Sequence, residues 1–178
     1  MKRIVCIGDS LTWGYPYGPQ DSWTHMLAEA TGFEVINRGI NGNTTSEMLA
    51  RFERDVLKHN PDYVVIMGGH NDIIWQESFD RIVWNLKAMI DMAQKKGIKV
   101  VLGLLIPVDD PYFEGLVARV REWMRDHAVK NNLAYIDFAS ALRNEEGKVR
   151  TELLLDGAHP TREGYKKMFE AIPLHIFA

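Results

Sequence analysis

The sequence predicts an α/β domain built around a parallel β-sheet, and three observations support this. Short apolar runs alternate with longer amphipathic segments along the 178 residues, as in βαβ units. The runs Ile4–Ile7, Tyr63–Met67 and Val100–Ile106 are apolar almost throughout, as expected of parallel strands covered on both faces. No repeat, low-complexity tract or linker-like stretch divides the chain, so one domain over residues 1–178 is the simplest interpretation.

Five strands alternate with five helices in this prediction. The strands are Arg3–Gly8, Glu34–Asn37, Tyr63–Met67, Lys99–Ile106 and Ala134–Phe138. The helices are Ser22–Ala30, Thr45–Lys58, Asp80–Lys95, Glu114–Asn131 and Arg162–Ala171. The third helix carries apolar residues at i, i+3, i+4 and i+7, and Gly97 follows it as a stop. Thr44 and Glu47 have the spacing of a capping box at the start of the second helix.

Composition and charge argue against several classes of function. The net charge is −3 without a long run of one sign, which argues against a nucleic-acid groove and a membrane-surface patch. The single cysteine, Cys6, lies in an apolar run and excludes an internal disulfide. No apolar stretch reaches the ~18 residues of a membrane span, and the apolar start is too short for a signal peptide. We therefore expect a cytoplasmic protein.

Ligands of open α/β proteins bind at the edge of the sheet where the parallel strands end. Ser10 follows the first predicted strand, at a turn whose backbone N–H groups favour an anion. An ordinary helix N-cap is the alternative explanation of this serine. The third strand runs into Gly68–Asp72, where the glycines leave open space and Asn71 can offer side-chain N–H groups to a ligand. A plain turn with Asp72 as a cap is the alternative there.

A potential general base follows much later, in the segment Asp156–Pro160. A serine nucleophile needs a base to accept its proton and an acid to orient that base. Asp156 and His159 lie three residues apart and can face one another on a tight turn, and Pro160 disfavours a helical conformation at His159. The segment around Ser10 matches neither a dinucleotide fingerprint, nor a P-loop, nor G-x-S-x-G.

Four segments together resemble the signature blocks of the SGNH/GDSL hydrolase superfamily. They are Gly8-Asp9-Ser10-Leu11, Ile40-Asn41-Gly42-Asn43-Thr44, Gly69-His70-Asn71-Asp72 and Asp156-Gly157-Ala158-His159, in family order and at family-like spacing. The resemblance implies a flavodoxin-like, three-layer α/β/α sandwich with a central, mostly parallel five-stranded sheet. It also implies a serine hydrolase that cleaves carboxylic esters through an acyl-enzyme, with no metal or organic cofactor.

Carried over position by position, the resemblance assigns a catalytic triad and an oxyanion hole. Ser10 is the nucleophile, His159 is the general base and then the general acid, and Asp156 orients His159. The oxyanion is held by the backbone N–H groups of Ser10 and Gly42 and by the side chain of Asn71. Gly39 is an alternative to Gly42, and the resemblance leaves Asp9 and Asp72 with structural roles.

The expected partner is a small-molecule ester, with no nucleic acid or membrane, and the sequence does not predict an oligomeric state. We expect Trp13, Tyr15, Trp75 and His70 to line the substrate pocket, although plain packing also explains aromatic residues here. Short acyl chains are favoured because the chain shows no lid insertion.

Alternatives within the superfamily are a carbohydrate O-acetylesterase and a thioesterase. An alternative of another class is a non-catalytic flavodoxin-like domain that binds a nucleotide or flavin.

Overall fold

Five parallel strands form the centre of the computed structural model, which describes residues 1–178. The strands are β1 Arg3–Gly8, β2 Glu34–Gly39, β3 Tyr63–Ile66, β4 Lys99–Gly103 and β5 Ala134–Ile136. Their order is β2-β1-β3-β4-β5, and every neighbouring pair is parallel. This order is that of flavodoxin-like folds, in which ligands bind beside β1 and β3. The predicted α/β sandwich is therefore confirmed.

Nine helices connect and cover the strands. They are α1 Ser10–Trp13, α2 Trp23–Thr31, α3 Thr45–Ala50, α4 Phe52–Asp55, α5 His70–Ile74, α6 Phe79–Lys95, α7 Pro111–Lys130, α8 Phe138–Ala141 and α9 Arg162–Glu170. Short 3₁₀ turns occupy Pro19–Asp21, Leu57–His59, Thr151–Leu153 and Leu174–Phe177. The short helices α1 and α5 were not predicted, because four or five residues show no periodicity.

The prediction of one continuous helix over Thr45–Lys58 is wrong. The capping box of Thr44 and Glu47 is present, but α3 ends at Ala50 and Arg51 adopts a non-helical conformation before α4. At this break the guanidinium of Arg51 turns inward and binds backbone carbonyls of the sheet. The apolar periodicity of this segment continues through the break, so the pattern did not show it.

Several strand ends also differ from the prediction. β2 continues to Gly39, whereas β4 leaves the sheet after Gly103 although Leu104–Ile106 remain buried. β5 ends at Ile136 because Asp137 caps α8. These shifts move no strand and leave the loop at each carboxyl end in place.

The core lies on both faces of the sheet. The predicted stripe of α6 is buried, as is Cys6 on β1, whose thiol pKa is raised by burial. Gly39 lies so close to the turn after β1 that a Cβ there would overlap the backbone nitrogen of Trp13. A glycine at this position thus lets β2 pack against the segment that carries Ser10. None of the helices combines the length and apolar character that a bilayer crossing needs.

Candidate active site

The structure brings Ser10 and His159 into hydrogen-bond contact although 149 positions separate them. Ser10 is the first residue of α1 and is separated from β1 by Asp9 alone, and its Oγ lies 3.1 Å from Nε2 of His159. On the far side of the imidazole, Nδ1 lies 2.7 Å from Oδ2 of Asp156. The hydroxyl, the imidazole and the carboxylate thus form one continuous chain of hydrogen bonds, which is the arrangement of a serine nucleophile with a base and an orienting acid.

A tight turn positions Asp156 against His159. The second carboxylate oxygen of Asp156, Oδ1, accepts hydrogen bonds from the backbone N–H groups of Ala158 (3.0 Å) and His159 (2.7 Å). Gly157 makes the turn possible with a φ of 81°. Partial burial acts to raise the pKa of Asp156, but the hydrogen bonds from His159 and Ala158 outweigh it and hold that pKa below its usual range. The acid is therefore ionised at neutral pH.

Three further contacts hold this turn in place. The N–H of Leu155 donates to the carbonyl of His159 at 2.8 Å, which closes the base of the turn. The N–H of Asp109, in the segment after β4, donates to the carbonyl of Gly157 at 2.7 Å. The ring of Tyr15 packs on the imidazole of His159 with centroids 4.7 Å apart. The turn is thus joined to the loops that follow β1 and β4.

The segment after β2 forms a second tight turn, which carries Gly42. The N–H of Asn43 donates to the carbonyl of Ile40 at 3.1 Å, and Gly42 between them has a φ of 79°. The N–H of Gly42 has no acceptor within the chain, whereas that of Gly39 donates to Oδ1 of Asn37 at 2.9 Å. Of the two glycines, only Gly42 has its N–H available to a ligand.

Asn71 lies beside this turn, at the start of α5. Its Nδ2 donates to the carbonyl of Asn43 at 2.9 Å, which leaves the second amide hydrogen available. As the first residue of α1, Ser10 has a backbone N–H without an intrahelical acceptor. The side chain of Asn71 and the N–H groups of Ser10 and Gly42 are thus free to donate at the sheet edge.

The two motif aspartates, Asp9 and Asp72, are both buried. Asp72 accepts hydrogen bonds from the N–H (2.9 Å) and Oγ1 (2.6 Å) of Thr45, so it ties α5 to the start of α3. Asp9 caps α1 by accepting from the N–H of Leu11 at 2.9 Å, but its Oδ2 has no partner. Burial raises the pKa of Asp9 to about 6. Both side chains have structural contacts that account for their presence.

His70 lines the same cavity as His159 but differs from it chemically. Its Nε2 donates to the carbonyl of Ile106 at 2.9 Å, since a carbonyl can only accept. Burial lowers the pKa of His70 to about 4. With Nε2 engaged and its basicity reduced, His70 is poorly suited to act as a general base.

The cavity at this edge has a volume of about 310 Å³. Its polar end contains Ser10, Asn71, Asp156 and His159. Its apolar wall consists of Leu11, Ile73, Ile74, Val108, Phe113 and Val117. The sequence reasoning missed this wall, because the first turns of α7 look like an ordinary core stripe.

Of the four residues expected in the pocket, the structure places only His70 in the cavity lining. Trp13 is half-buried at the end of α1, and Trp75 is 75% exposed just after α5. Tyr15 contacts the imidazole of His159 from outside the cavity. Proximity in sequence to a motif did not determine the direction in which these aromatic side chains point.

Comparison with known proteins gives consistent results. A G-D-S-L family protein from Desulfitobacterium hafniense superposes with a TM-score of 0.89 at 31% identity, covering 96% of this chain and 97% of that one. Esterase TesA of Pseudomonas aeruginosa is 25% identical over 96% of this chain and 86% of its own. An acetylxylan esterase of Geobacillus stearothermophilus is 48% identical over 46 residues, which are 26% of this chain and 20% of that enzyme.

The extent of these matches varies. The chain spans about half the length of some of the curated relatives it matches, with 49% and 53% of two of them aligned. The model of the GDSL-like lipase/acylhydrolase family, in contrast, matches residues 6–167. That match includes every segment that forms the cavity and extends into α9. The chain therefore belongs to the GDSL-like lipase/acylhydrolase family.

Proposed function

We propose that the protein hydrolyses carboxylic esters with short acyl chains, with Ser10 as the nucleophile. The observation that carries this proposal is the pair of contacts at His159: 3.1 Å to the hydroxyl of Ser10 and 2.7 Å to the carboxylate of Asp156. An ionised carboxylate can only accept, so Nδ1 carries the proton. In the neutral imidazole, Nε2 is then the unprotonated nitrogen, and it faces the serine hydroxyl as a general base must.

The proposed reaction proceeds through an acyl-enzyme. Ser10 attacks the ester carbonyl while His159 accepts its proton, and Asp156 stabilises the imidazolium that forms. His159 then donates this proton to the leaving alcohol. Water enters, loses a proton to His159 and attacks the acyl carbonyl. His159 then returns this proton to Oγ of Ser10 as the bond between Ser10 and the acyl group breaks and the acid leaves.

The oxyanion of each tetrahedral intermediate is assigned to the free donors described above. These are the N–H groups of Ser10 and Gly42 and the side chain of Asn71. Donors fixed before the reaction cost no reorganisation as negative charge develops, and for this reason they stabilise the transition state strongly. The hydrogen bond from Asn71 to Asn43 supports the assignment, because it fixes the amide beside the turn of Gly42.

The acyl group is assigned to the apolar wall of the cavity. Ile73, Val108 and Phe113 lie on the same cavity as Ser10, so a small alkyl group attached to the reacting carbonyl would contact them. A volume of about 310 Å³ is at the low end of ordinary ligand pockets, which supports a short chain. A second candidate is a carbohydrate O-acetylesterase, which the 48% identity to a segment of an acetylxylan esterase favours.

The test compares nitrophenyl esters from acetate to laurate with an acetylated xylo-oligosaccharide and an acyl thioester. We expect the highest kcat/KM for acetate to butyrate, and Ser10→Ala to lower kcat by about 10⁴–10⁶-fold without a change in Tm.

Near-normal activity of Ser10→Ala would overturn the nucleophile assignment. The highest kcat/KM on the sugar acetate, the thioester or laurate would overturn the substrate assignment. Absence of any hydrolysis with tight nucleotide or flavin binding would favour the non-catalytic alternative.

A further inference from the structure

Arg51, in the break between α3 and α4, is buried with 8% of its surface exposed. Its guanidinium binds four acceptors that come from four parts of the chain. Nε donates to Oδ1 of Asn43 (2.8 Å), Nη2 to the carbonyl of Gly8 (2.8 Å), and Nη1 to the carbonyl of Arg38 (2.9 Å) and to Oδ2 of Asp55 (3.0 Å). The carboxylate of Asp55 pairs with this buried charge and satisfies the general requirement that such charges have a partner.

Three of these acceptors adjoin the proposed oxyanion donors along the chain. Gly8 is two residues before Ser10, while Arg38 and Asn43 lie on either side of the turn that carries Gly42. Arg51 therefore joins the end of β1, the end of β2 and the turn after β2 through one rigid, planar group.

Asn43 links Arg51 to the donors directly. Its side chain accepts from Arg51, its N–H closes the turn around Gly42, and its carbonyl accepts from Nδ2 of Asn71. Asn43 is itself buried, with 7% of its surface exposed, so water cannot readily replace these hydrogen bonds. Two of the three proposed donors are thus held through a residue that Arg51 holds.

We infer that Arg51 is a positioning residue of the oxyanion hole, which it aligns through Asn43. This inference rests on the proposed function, since it requires that Asn71 and Gly42 stabilise an oxyanion. A lysine would retain the charge but could not align Asn43 in the same way. Its single ammonium on a flexible side chain cannot replace the several N–H donors that the planar guanidinium holds in fixed directions. Arg51→Lys therefore separates alignment from charge.

The test is a double-mutant cycle between Arg51→Lys and Asn71→Ala on a nitrophenyl ester. Asn71→Ala removes one donor and should lower kcat by about 10²–10³-fold. Arg51→Lys should lower kcat by about 10–100-fold with little change in KM, since displacements near 1 Å have effects of that size. In the Asn71→Ala background, the loss caused by Arg51→Lys should become several-fold smaller, because the donor that it misaligns is already absent.

Arg121 provides a matched control. It is also buried, with 1% of its surface exposed, and binds the carbonyl of Leu105 (2.6 Å) and the carboxylate of Glu114, on the other half of the sheet edge. The losses from Arg121→Lys and Asn71→Ala should simply multiply. Should Arg51→Lys fail to fold, Asn43→Ala tests the same link, since it leaves Arg51 its three other acceptors and should show the same coupling to Asn71→Ala.

Three results would contradict the inference. Equal losses from Arg51→Lys with and without Asn71 would show that Arg51 acts on the fold alone. A raised KM at unchanged kcat would show that it acts on substrate binding. A wild-type kcat for Asn71→Ala would overturn the oxyanion assignment in the proposed function as well, which distinguishes that failure from a failure of the Arg51 inference alone.

Discussion

The two halves of the proposed active site are built in different ways. The half with Ser10, Gly42 and Asn71 rests on the ends of β1, β2 and β3 and on the buried residues Arg51 and Asp72. The other half is a single turn, residues 156–159, whose acid side chain is 53% exposed. The proposed nucleophile and oxyanion donors are thus fixed by the sheet, while the proposed base, His159, is fixed by a few hydrogen bonds and one aromatic contact.

This difference determines where substitutions should have their effects. Changes to the buried supports of the sheet-supported half, such as Arg51 and Asp72, disturb buried contacts and should change stability together with, or instead of, activity. Changes in the exposed turn disturb few buried groups and should change kcat while leaving Tm nearly constant. The three predictions below test this division, from the largest effect on catalysis to the smallest.

Asp156→Asn tests the turn most severely. The amide retains an oxygen for the N–H groups of Ala158 and His159, but its NH₂ group favours the wrong imidazole tautomer. We expect kcat to fall by about 10³–10⁴-fold, as in other serine triads, with Tm close to the wild-type value. A large fall in Tm would show that the turn contributes to folding as much as the sheet-supported half does.

Tyr15→Leu tests the aromatic contact with His159. An aromatic pair is worth about 0.5–1.5 kcal/mol, and a loss of that size in transition-state stabilisation lowers kcat by about two- to tenfold. Tyr17→Leu is the matched control, because the ring of Tyr17 packs on Tyr165, with centroids 6.5 Å apart, and not on His159. Equal losses of kcat from the two variants would contradict a specific role of Tyr15.

Asp9→Asn tests the sheet-supported half through stability. Burial raises the pKa of Asp9 from 3.8 to about 6, so between about pH 4 and pH 6 the unfolded chain loses this proton more readily than the folded one. Folding therefore becomes less favourable as pH rises through this window, and the asparagine, which cannot ionise, avoids this loss. Its oxygen still caps α1.

We expect the free energy of unfolding of Asp9→Asn, relative to wild type, to increase by up to about 3 kcal/mol between about pH 4 and pH 8. Denaturant titrations of both proteins at the two pH values measure this difference, and kcat should change little. A stability difference that is constant across this range would contradict the raised pKa.

The sequence predicted most of the features that depend on local pattern. Strand positions, the capping box at Thr44 and the motif segments after β1, β2 and β3 follow from apolar runs and turn residues. The break at Arg51 could not be predicted from these patterns, since the apolar periodicity continues through it. One signal was available: Arg51 and Asp55 lie four residues apart on the face that also buries Met48 and Phe52.

The cavity wall could not be predicted because it depends on tertiary packing. Which face of α7 meets α5 decides whether Phe113 and Val117 line a cavity or the core, and no local pattern encodes that choice. For the same reason, the aromatic residues near the motifs were a poor guide, as Trp75 turns to solvent. The contact of Ser10 with His159 was anticipated through the family resemblance, not through spacing.

Reaction with a fluorophosphonate, followed by mass mapping of the modified residue, tests the central claim most directly. If Ser10 is the nucleophile and His159 its base, the wild-type protein should carry the phosphonyl group on Ser10. His159→Ala should react far more slowly at that residue, and Ser10→Ala should remain unmodified. Modification of a different residue, or equally rapid labelling of Ser10 without His159, would contradict the account.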